Sequence, residues 1–156
     1  MMPVRKARLF TAVSLDGCLL DEMDWLPDTR GQSFLFDTHV WEKLEPGLDA
    51  NGQITVLSPR PVRHSTGVQF DTRDAAECLR ALKDQEGKTI WICAGPKTIH
   101  KLMKADLIDE YELVVVPEIR GSQVRLFKAG TPPMPLKLKR VSESDGLVCL
   151  SYERLR

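Results

Sequence analysis

Residues 89–97 read Thr-Ile-Trp-Ile-Cys-Ala-Gly-Pro-Lys, and this stretch decides the fold class. The residues before Gly95 form a continuous apolar run, which is typical of strands buried on both faces of a sheet. Gly95 and Pro96 then interrupt the run, and proline is common in the first turn of a helix. The next apolar residues repeat at helical spacing, at Ile99, Leu102, Met103 and Leu107. The stretch therefore predicts a buried strand that leads directly into a helix.

The sequence on either side extends this unit into a sheet. An apolar strand is predicted at residues 112–119, and a strand, a helix and a strand joined by such short connections form a parallel crossover. Upstream, the polar residues 71–74 can cap a helix that begins at Ala75 and that Gly87 ends. The remaining N-terminal segments predict strands at residues 7–13, 54–57 and 68–70, and either a short helix or a strand followed by a helix at residues 33–44.

The C-terminal part has a different pattern. Residues 136–141 and 147–153 flank Ser144-Asp145-Gly146, which predicts an antiparallel hairpin. A parallel crossover and an antiparallel hairpin in one sheet make that sheet mixed. Because a chain of this length fits one compact core, we predict a single α/β domain over residues 1–156.

The overall charge argues against two classes of partner. Basic and acidic residues number 22 each, so no global field attracts nucleic acid or an anionic membrane. The sequence has no charged-then-apolar leader and no apolar run long enough to span a bilayer, which predicts a cytoplasmic protein. The four cysteines form no C-x-x-C pair and are predicted to be free thiols. The three histidines are too dispersed to predict a metal site.

Two segments that follow predicted strands are candidates for phosphate binding. Gly95-Pro96 joins a strand to a helix N-terminus, where the free N–H groups of Lys97 and Thr98 attract anions. Ser58-Pro59-Arg60 also follows a buried strand, and open α/β sheets bind ligands outside the carboxyl ends of their strands. Each segment alone also fits an ordinary strand-to-helix turn or a solvated surface arginine, so both interpretations stay open.

Two carboxylates are candidates for chemistry. Asp16 follows the first predicted strand beside Gly17, and Asp24 precedes Trp25 in the next loop. A carboxylate at either position could orient a substrate or relay a proton. An Asp-Gly pair is also common in ordinary turns, and that simpler interpretation stays open as well.

These segments, in their order along the chain, resemble the dihydrofolate-reductase-like fold. They are most similar to the small reductases that resemble the C-terminal domain of the bacterial riboflavin-biosynthesis deaminase-reductase. The resemblance covers nearly the whole chain. The segments that carry it are Ser14-Leu15-Asp16-Gly17, Asp24-Trp25-Leu26, Leu57-Ser58-Pro59-Arg60-Pro61, Ile90-Trp91-Ile92-Cys93-Ala94-Gly95, Ala105-Asp106-Leu107-Ile108-Asp109-Glu110, and Val115-Val116-Pro117 with Gly121-Ser122 and Leu126-Phe127.

The resemblance implies a three-layer fold with a central mixed sheet, helices on both faces and NADPH lying across the strand ends. It also implies a homodimer and hydride transfer to a small heterocyclic or ribosyl substrate. Asp16 and Asp24 are the implied catalytic residues, and Trp25 is implied to contact the substrate. The implied cofactor-binding residues are Ala12, Gly17, Thr38, His39, Leu57, Ser58, Arg60, Ala94, Gly95, Pro96, Lys97 and Thr98.

Two motifs depart from the family pattern. The family usually has Gly-Gly-Gly or Gly-Gly where this chain has Ala94-Gly95-Pro96, and Gly-Arg where this chain has Asp37-Thr38. The loss of the arginine and the gain of an aspartate both work against the binding of a phosphate. Two alternatives to a reductase therefore stay open. One is a non-catalytic relative that keeps the fold and a nucleotide crevice, and the other is a dimerising or partner-binding module.

Overall fold

The computed structural model describes residues 5–20, 32–44, 53–59 and 68–156. In chain order the elements are β1 (Ala7–Val13), β2 (Ser33–Asp37), α1 (Thr38–Leu44), β3 (Gln53–Leu57), β4 (Val68–Asp71), α2 (Ala75–Lys83), β5 (Ile90–Cys93), α3 (Pro96–Lys104), β6 (Glu110–Val115), β7 (Leu136–Ser144) and β8 (Leu147–Arg154). No helix in these ranges is both long and apolar enough to cross a membrane.

The strands of the described ranges form one eight-stranded sheet in the order β4-β3-β2-β5-β1-β6-β8-β7. The pairs among strands β1 to β6 are all parallel, whereas β8 is antiparallel to both β6 and β7. Asp145 and Gly146 make the hairpin turn with φ of 52° and 82°, which suits the two-residue turn between twisted strands. The predicted mixed sheet and C-terminal hairpin are both confirmed.

Helices cover both faces of the sheet, because the side chains of each strand alternate between two buried clusters. Leu9, Leu35 and Ile92 belong to the cluster that contains the inner faces of α2 and α3. Phe10 and Phe36 belong to the second cluster, where α1 contributes Val40 and Trp41. The three-layer arrangement predicted from the sequence is therefore confirmed.

The helices that follow β2 and β5 pack on opposite faces of the sheet. The chain leaves β2 into α1 on one face and leaves β5 into α3 on the other face. Because β2 and β5 are parallel neighbours, with Phe36 opposite Cys93, the two helices begin side by side at the carboxyl edge of the sheet. In open α/β sheets, ligands bind in the crevice that such a divergence opens.

Two predicted boundaries are shifted in the structure, and one alternative that the sequence left open is decided. Strand β6 starts at Glu110 and ends at Val115, and Ile119 is exposed, because the chain turns where Glu118 N donates to Val116 O. Helix α2 ends at Lys83, before Gly87. Residues 33–44 are a strand followed by a helix. The prediction of free thiols is confirmed at Cys18, Cys78, Cys93 and Cys149.

Arg5 joins the amino ends of several elements from a buried position. Its guanidinium donates to Leu82 O at 2.9 Å and to Lys88 O at 2.7 Å, and so satisfies carbonyls near the end of α2 and before β5. It also donates to Ser33 Oγ at 2.8 Å and Gln53 Oε1 at 2.7 Å, at the starts of β2 and β3. A Cβ at Gly87 would lie 2.9 Å from the guanidinium carbon, so a larger residue there would push the guanidinium away from its partners.

We expect Arg5→Met to lower the free energy of unfolding by about 3 kcal/mol, since it leaves buried carbonyl and side-chain oxygens unpaired. Urea denaturation measures the loss. The control is Arg80→Met, which changes an exposed arginine of α2 and should cost below about 0.5 kcal/mol. Equal losses in the two variants would contradict the bridging role of Arg5.

Candidate functional site

A cleft of about 1210 Å³ opens at the carboxyl edge of the sheet. The ends of β2 and β3 and the start of α3 form one side, and residues after β4 extend it. The segment from Gln123 to Arg125, with Lys128 and Ala129, forms the opposite wall. The cleft therefore lies over the divergence between β2 and β5, where the sheet topology predicts a ligand.

The carboxylate of Asp37 holds the two helix starts together across this divergence. Its Oδ1 accepts a hydrogen bond from Val40 N at 2.9 Å, which caps α1. Its Oδ2 accepts from Gly95 N at 2.6 Å, which ties β2 to the turn before α3. We call this pair of contacts the Asp37 bridge. Thr38 supports the same corner, since its Oγ1 donates to Leu57 O at 2.8 Å.

The first turn of α3 keeps donors for an anion. Gly95 precedes this nine-residue helix with φ −74° and ψ 171°, and no side chain caps it. The N–H groups of Lys97 and Thr98 have no hydrogen-bond partner within the described part of the chain, and both residues line the cleft. Free N–H groups at a helix start bind phosphate and carboxylate groups.

Basic side chains surround the cleft, and some already have an internal partner. Arg73 binds Asp71 through Nη2–Oδ2 at 2.7 Å and Nε–Oδ1 at 3.1 Å, and these hydrogen bonds hold the pKa of Asp71 at about 2. Lys101 Nζ lies 3.7 Å from Asp74 Oδ1. Lys97 and Lys128 also line the cleft, and neither makes an ion pair with any of the described residues.

Asp16 ties the loop after β1 to the loop after β6. Its Oδ2 accepts from Gly121 N at 2.8 Å, and its Oδ1 accepts from Arg120 N at 3.2 Å and from the Ser14 hydroxyl. The hydrogen bond from Ser14 first, and those from the two amides next, hold the pKa of Asp16 well below its usual range. Asp16 is therefore an anion at neutral pH, and it is not a proton donor there.

The connection between these two loops reaches the cleft. Arg125, on the wall of the cleft, donates from Nη2 to Asp16 O at 3.0 Å. Gly17 has φ 83°, and a Cβ there would lie 3.2 Å from the same Nη2. Leu19 N donates to Val124 O at 2.9 Å, and Val124 also lines the cleft. Asp16 thus positions a wall of the cleft and does not itself line it.

The model of the RibD C-terminal domain family matches residues 20–150. The chain belongs to this family. A protein of Bacillus subtilis (strain 168) named YwjB, whose function is uncharacterised, is 29% identical over 171 residues, which cover 96% of this chain and 98% of YwjB. A Shewanella sp. PV-4 protein provisionally assigned to riboflavin biosynthesis has a crystal structure that superposes with a TM-score of 0.77. It is 21% identical, over 97% of this chain and 99% of that one.

Dihydrofolate reductase from Enterococcus faecalis, complexed with NADP(H), superposes with a TM-score of 0.75. It is 14% identical, over 97% of each chain. These likenesses confirm the dihydrofolate-reductase-like fold that the sequence motifs predict.

Within this RibD C-terminal domain, most of the predicted cofactor-binding residues that the structure describes line the cleft. They are Thr38, His39, Leu57, Ser58, Gly95, Pro96, Lys97 and Thr98. Ala12 and Ala94 are buried in the core on opposite faces of the sheet, and Gly17 lies in the loop tied by Asp16. Asp24, Trp25 and Arg60 lie outside the described residues. The binding and catalytic roles themselves stay predictions.

Sequence reasoning missed two parts of the cleft. Arg73 follows β4, whose carboxyl end lies on the same edge as that of β3, so the argument that singled out Ser58 applies to Arg73 as well. The wall at residues 123–125 carries no local signal. Its position depends on hydrogen bonds to residues 14–20, far away in the sequence.

We expect the stability contributed by Asp16 to disappear in acid. Because folding lowers the pKa of this carboxyl, the contribution is present above about pH 4, the unfolded value, and is lost as the pH falls toward the folded value. Asp16→Asn should therefore lose less unfolding free energy between pH 7 and pH 3 than the wild type. Urea denaturation at several pH values measures this, with Asp84→Asn, at an exposed carboxylate, as the control. Identical pH dependence of all three proteins would contradict this expectation.

The Asp37 bridge predicts a coupling between Asp37 and Gly95. A Cβ at residue 95 would lie 3.3 Å from Asp37 Oδ2, so Gly95→Ala should destabilise the wild type by about 1 kcal/mol. In an Asp37→Ser background the opposing oxygen is absent, and the same change should be neutral or stabilising because this φ suits alanine. Thermal denaturation of the four proteins of this double-mutant cycle measures the coupling. If the effects of the two substitutions on stability simply add, the Asp37 bridge is contradicted.

Proposed function

We propose that this member of the RibD C-terminal domain family is an NADPH-dependent reductase that reduces a small heterocyclic or ribosyl substrate. The observation that carries the proposal is the cleft at the divergence of β2 and β5, into which the first turn of α3 brings N–H donors. Its place on the sheet is where open α/β folds bind nucleotides. Membership of a reductase-containing family adds independent support.

The described residues fit the diphosphate of a dinucleotide, with one exception. The amides of Lys97 and Thr98 and the Lys97 ammonium are the donors for it, whereas the amide of Gly95 is taken by Asp37. Leu57 and Ser58 would hold the adenosine side, with Ser58 and Arg60 near the ribose phosphate. Thr38 and His39 would lie on the opposite, phosphate-binding side, at the start of α1. Ala12, Gly17, Ala94 and Pro96 would border the cofactor. When bound, NADPH supplies the hydride.

The other proposed roles concern orientation and the proton. Asp16 remains a candidate catalytic residue, and its lowered pKa favours an orienting role through the loops after β1 and β6 over proton donation. Asp24 is then the candidate for the proton path, and Trp25 for contact with the substrate. Walls on both sides of the cleft would exclude water from the reacting atoms.

A cytoplasmic homodimer belongs to the same proposal. The apolar side chains of Leu138 and Val141 are half exposed on β7, which is the last strand in the order of the sheet. Exposed apolar side chains on an edge strand are often covered by another chain. A small-molecule substrate remains the proposed partner of the cleft.

A second candidate function is that of a non-catalytic relative that keeps the fold and a nucleotide crevice, acting as a binding or dimerising module. The Asp37 bridge favours this alternative, because it places a carboxylate where a phosphate would otherwise accept from Gly95 N. Catalytic turnover separates the two candidates, since a binding module would bind nucleotide without oxidising it.

The proposed function is tested by titrating the protein with NADPH and with NADH. Calorimetry and nicotinamide fluorescence monitor the binding. Micromolar binding that prefers NADPH, and oxidation of NADPH in a screen with dihydrofolate and pyrimidine ribityl compounds, are the expected results. Lys97→Ala should weaken the binding of both dinucleotides about fivefold, since it removes one cation from the diphosphate. Lys104→Ala changes an exposed lysine at the far end of α3 and should leave binding unchanged.

Absence of binding at millimolar NADPH and NADH would contradict the proposed function. Equal affinities for wild type and Lys97→Ala, with binding intact, would instead show that the diphosphate lies elsewhere. Binding without turnover on any substrate would favour the binding module.

A further inference from the structure

Asp37 stands as an internal anion at the point where a ligand phosphate would bind. Its Oδ2 accepts from Gly95 N at 2.6 Å, and Gly95 begins the turn that leads into α3. A backbone amide has one hydrogen, so the Gly95 N–H cannot donate a full hydrogen bond to Asp37 and to a phosphate at the same time. A phosphate oxygen that approaches this amide must displace the carboxylate or accept its repulsion.

The cap of α1 does not explain why this residue is an aspartate. Serine or asparagine would accept from Val40 N equally well, because a cap needs one side-chain oxygen. The second oxygen of Asp37 is the one that reaches Gly95 N, and its negative charge makes that hydrogen bond strong. The aspartate therefore has an effect on the cleft that is separable from its effect on the helix.

Within the described residues, no ion pair involves Asp37. Of the basic residues that line the cleft, Arg73 pairs with Asp71 and Lys101 with Asp74, whereas Lys97 and Lys128 make no ion pair with a described residue. The carboxylate is half buried, where repulsion between like charges is screened less than at an open surface. A phosphate next to it therefore meets a negative charge that forms no ion pair with a described residue.

We propose that Asp37 lowers the affinity of the cleft for a diphosphate by competing with it for the Gly95 amide. The proposal rests on the proposed nucleotide-binding function of this cleft and adds a residue that opposes it. The wild-type chain binds a diphosphate through Lys97 and Thr98. It binds the diphosphate more tightly when a neutral residue replaces Asp37.

Two variants separate the charge from the cap. Asp37→Ser and Asp37→Asn both keep an oxygen for Val40 N and remove the charged acceptor from Gly95 N. Each should bind inorganic pyrophosphate and NADPH about tenfold more tightly than the wild type, the size expected for one hydrogen bond to a charged group. Asp84→Asn makes the same change in net charge at an exposed position away from the cleft and should leave both affinities unchanged. Calorimetry measures all four proteins.

A second measurement uses the wild-type chain alone and does not depend on the variants being folded. In nitrogen-15 NMR spectra, saturating pyrophosphate should shift the amide resonance of Gly95, because the phosphate replaces or perturbs the Asp37 acceptor. An unchanged Gly95 resonance at saturation would overturn the proposal. Unchanged or weaker pyrophosphate binding in folded Asp37→Ser and Asp37→Asn would overturn it as well.

The outcomes distinguish this proposal from the proposed reductase. If the variants gain affinity for pyrophosphate while no nicotinamide dinucleotide is oxidised, competition by Asp37 stands and the reductase fails. If NADPH is oxidised while neither variant gains affinity, the reductase stands and competition by Asp37 fails.

Discussion

The parallel pairing of β2 with β5 is the constraint on which the rest of the cleft depends. Phe36 lies opposite Cys93, so the residues that follow them, Asp37 and the Ala94-Gly95 turn, meet at the carboxyl edge. The chain then leaves the two strands toward opposite faces of the sheet. A crevice must open between helices that diverge in this way, and the carboxylate that spans it, Asp37, lies at its base.

The electrostatics of the cleft follow from how the turns at this edge are stabilised. Turns at strand ends leave backbone N–H groups without partners, and an aspartate next to a turn satisfies them locally. Asp37 does this for α1 and Asp74 for α2, while Asp71 binds Arg73. The same carboxylates lie at or near the cleft and offset its basic residues. Stabilising the turns and attracting an anion are therefore opposed in this molecule.

Local pattern predicts most of the sheet and the apolar side by which α3 packs, because buried strands and amphipathic helices carry their periodicity in adjacent residues. The Gly95-Pro96 break and the Asp74 cap are examples. Contacts distant in sequence are not predictable in this way. The sequence marks Asp37 only as a departure from the family pattern, whereas its bond to Gly95 N spans 58 residues. Gly87 reads as a helix end, yet the Arg5 guanidinium explains it.

Asp16 and Asp37 have similar surroundings, and this similarity bears on which group can transfer a proton. Each follows a parallel strand, and each accepts hydrogen bonds from backbone amides that belong to a distant turn. At Asp16 such bonds favour the ionised carboxylate and lower its pKa, so this group is a poor proton donor near neutral pH. A carboxylate that fixes a turn in this way suits positioning better than proton transfer. The proton path of a reductase in this cleft must then run through a group that is free of such bonds.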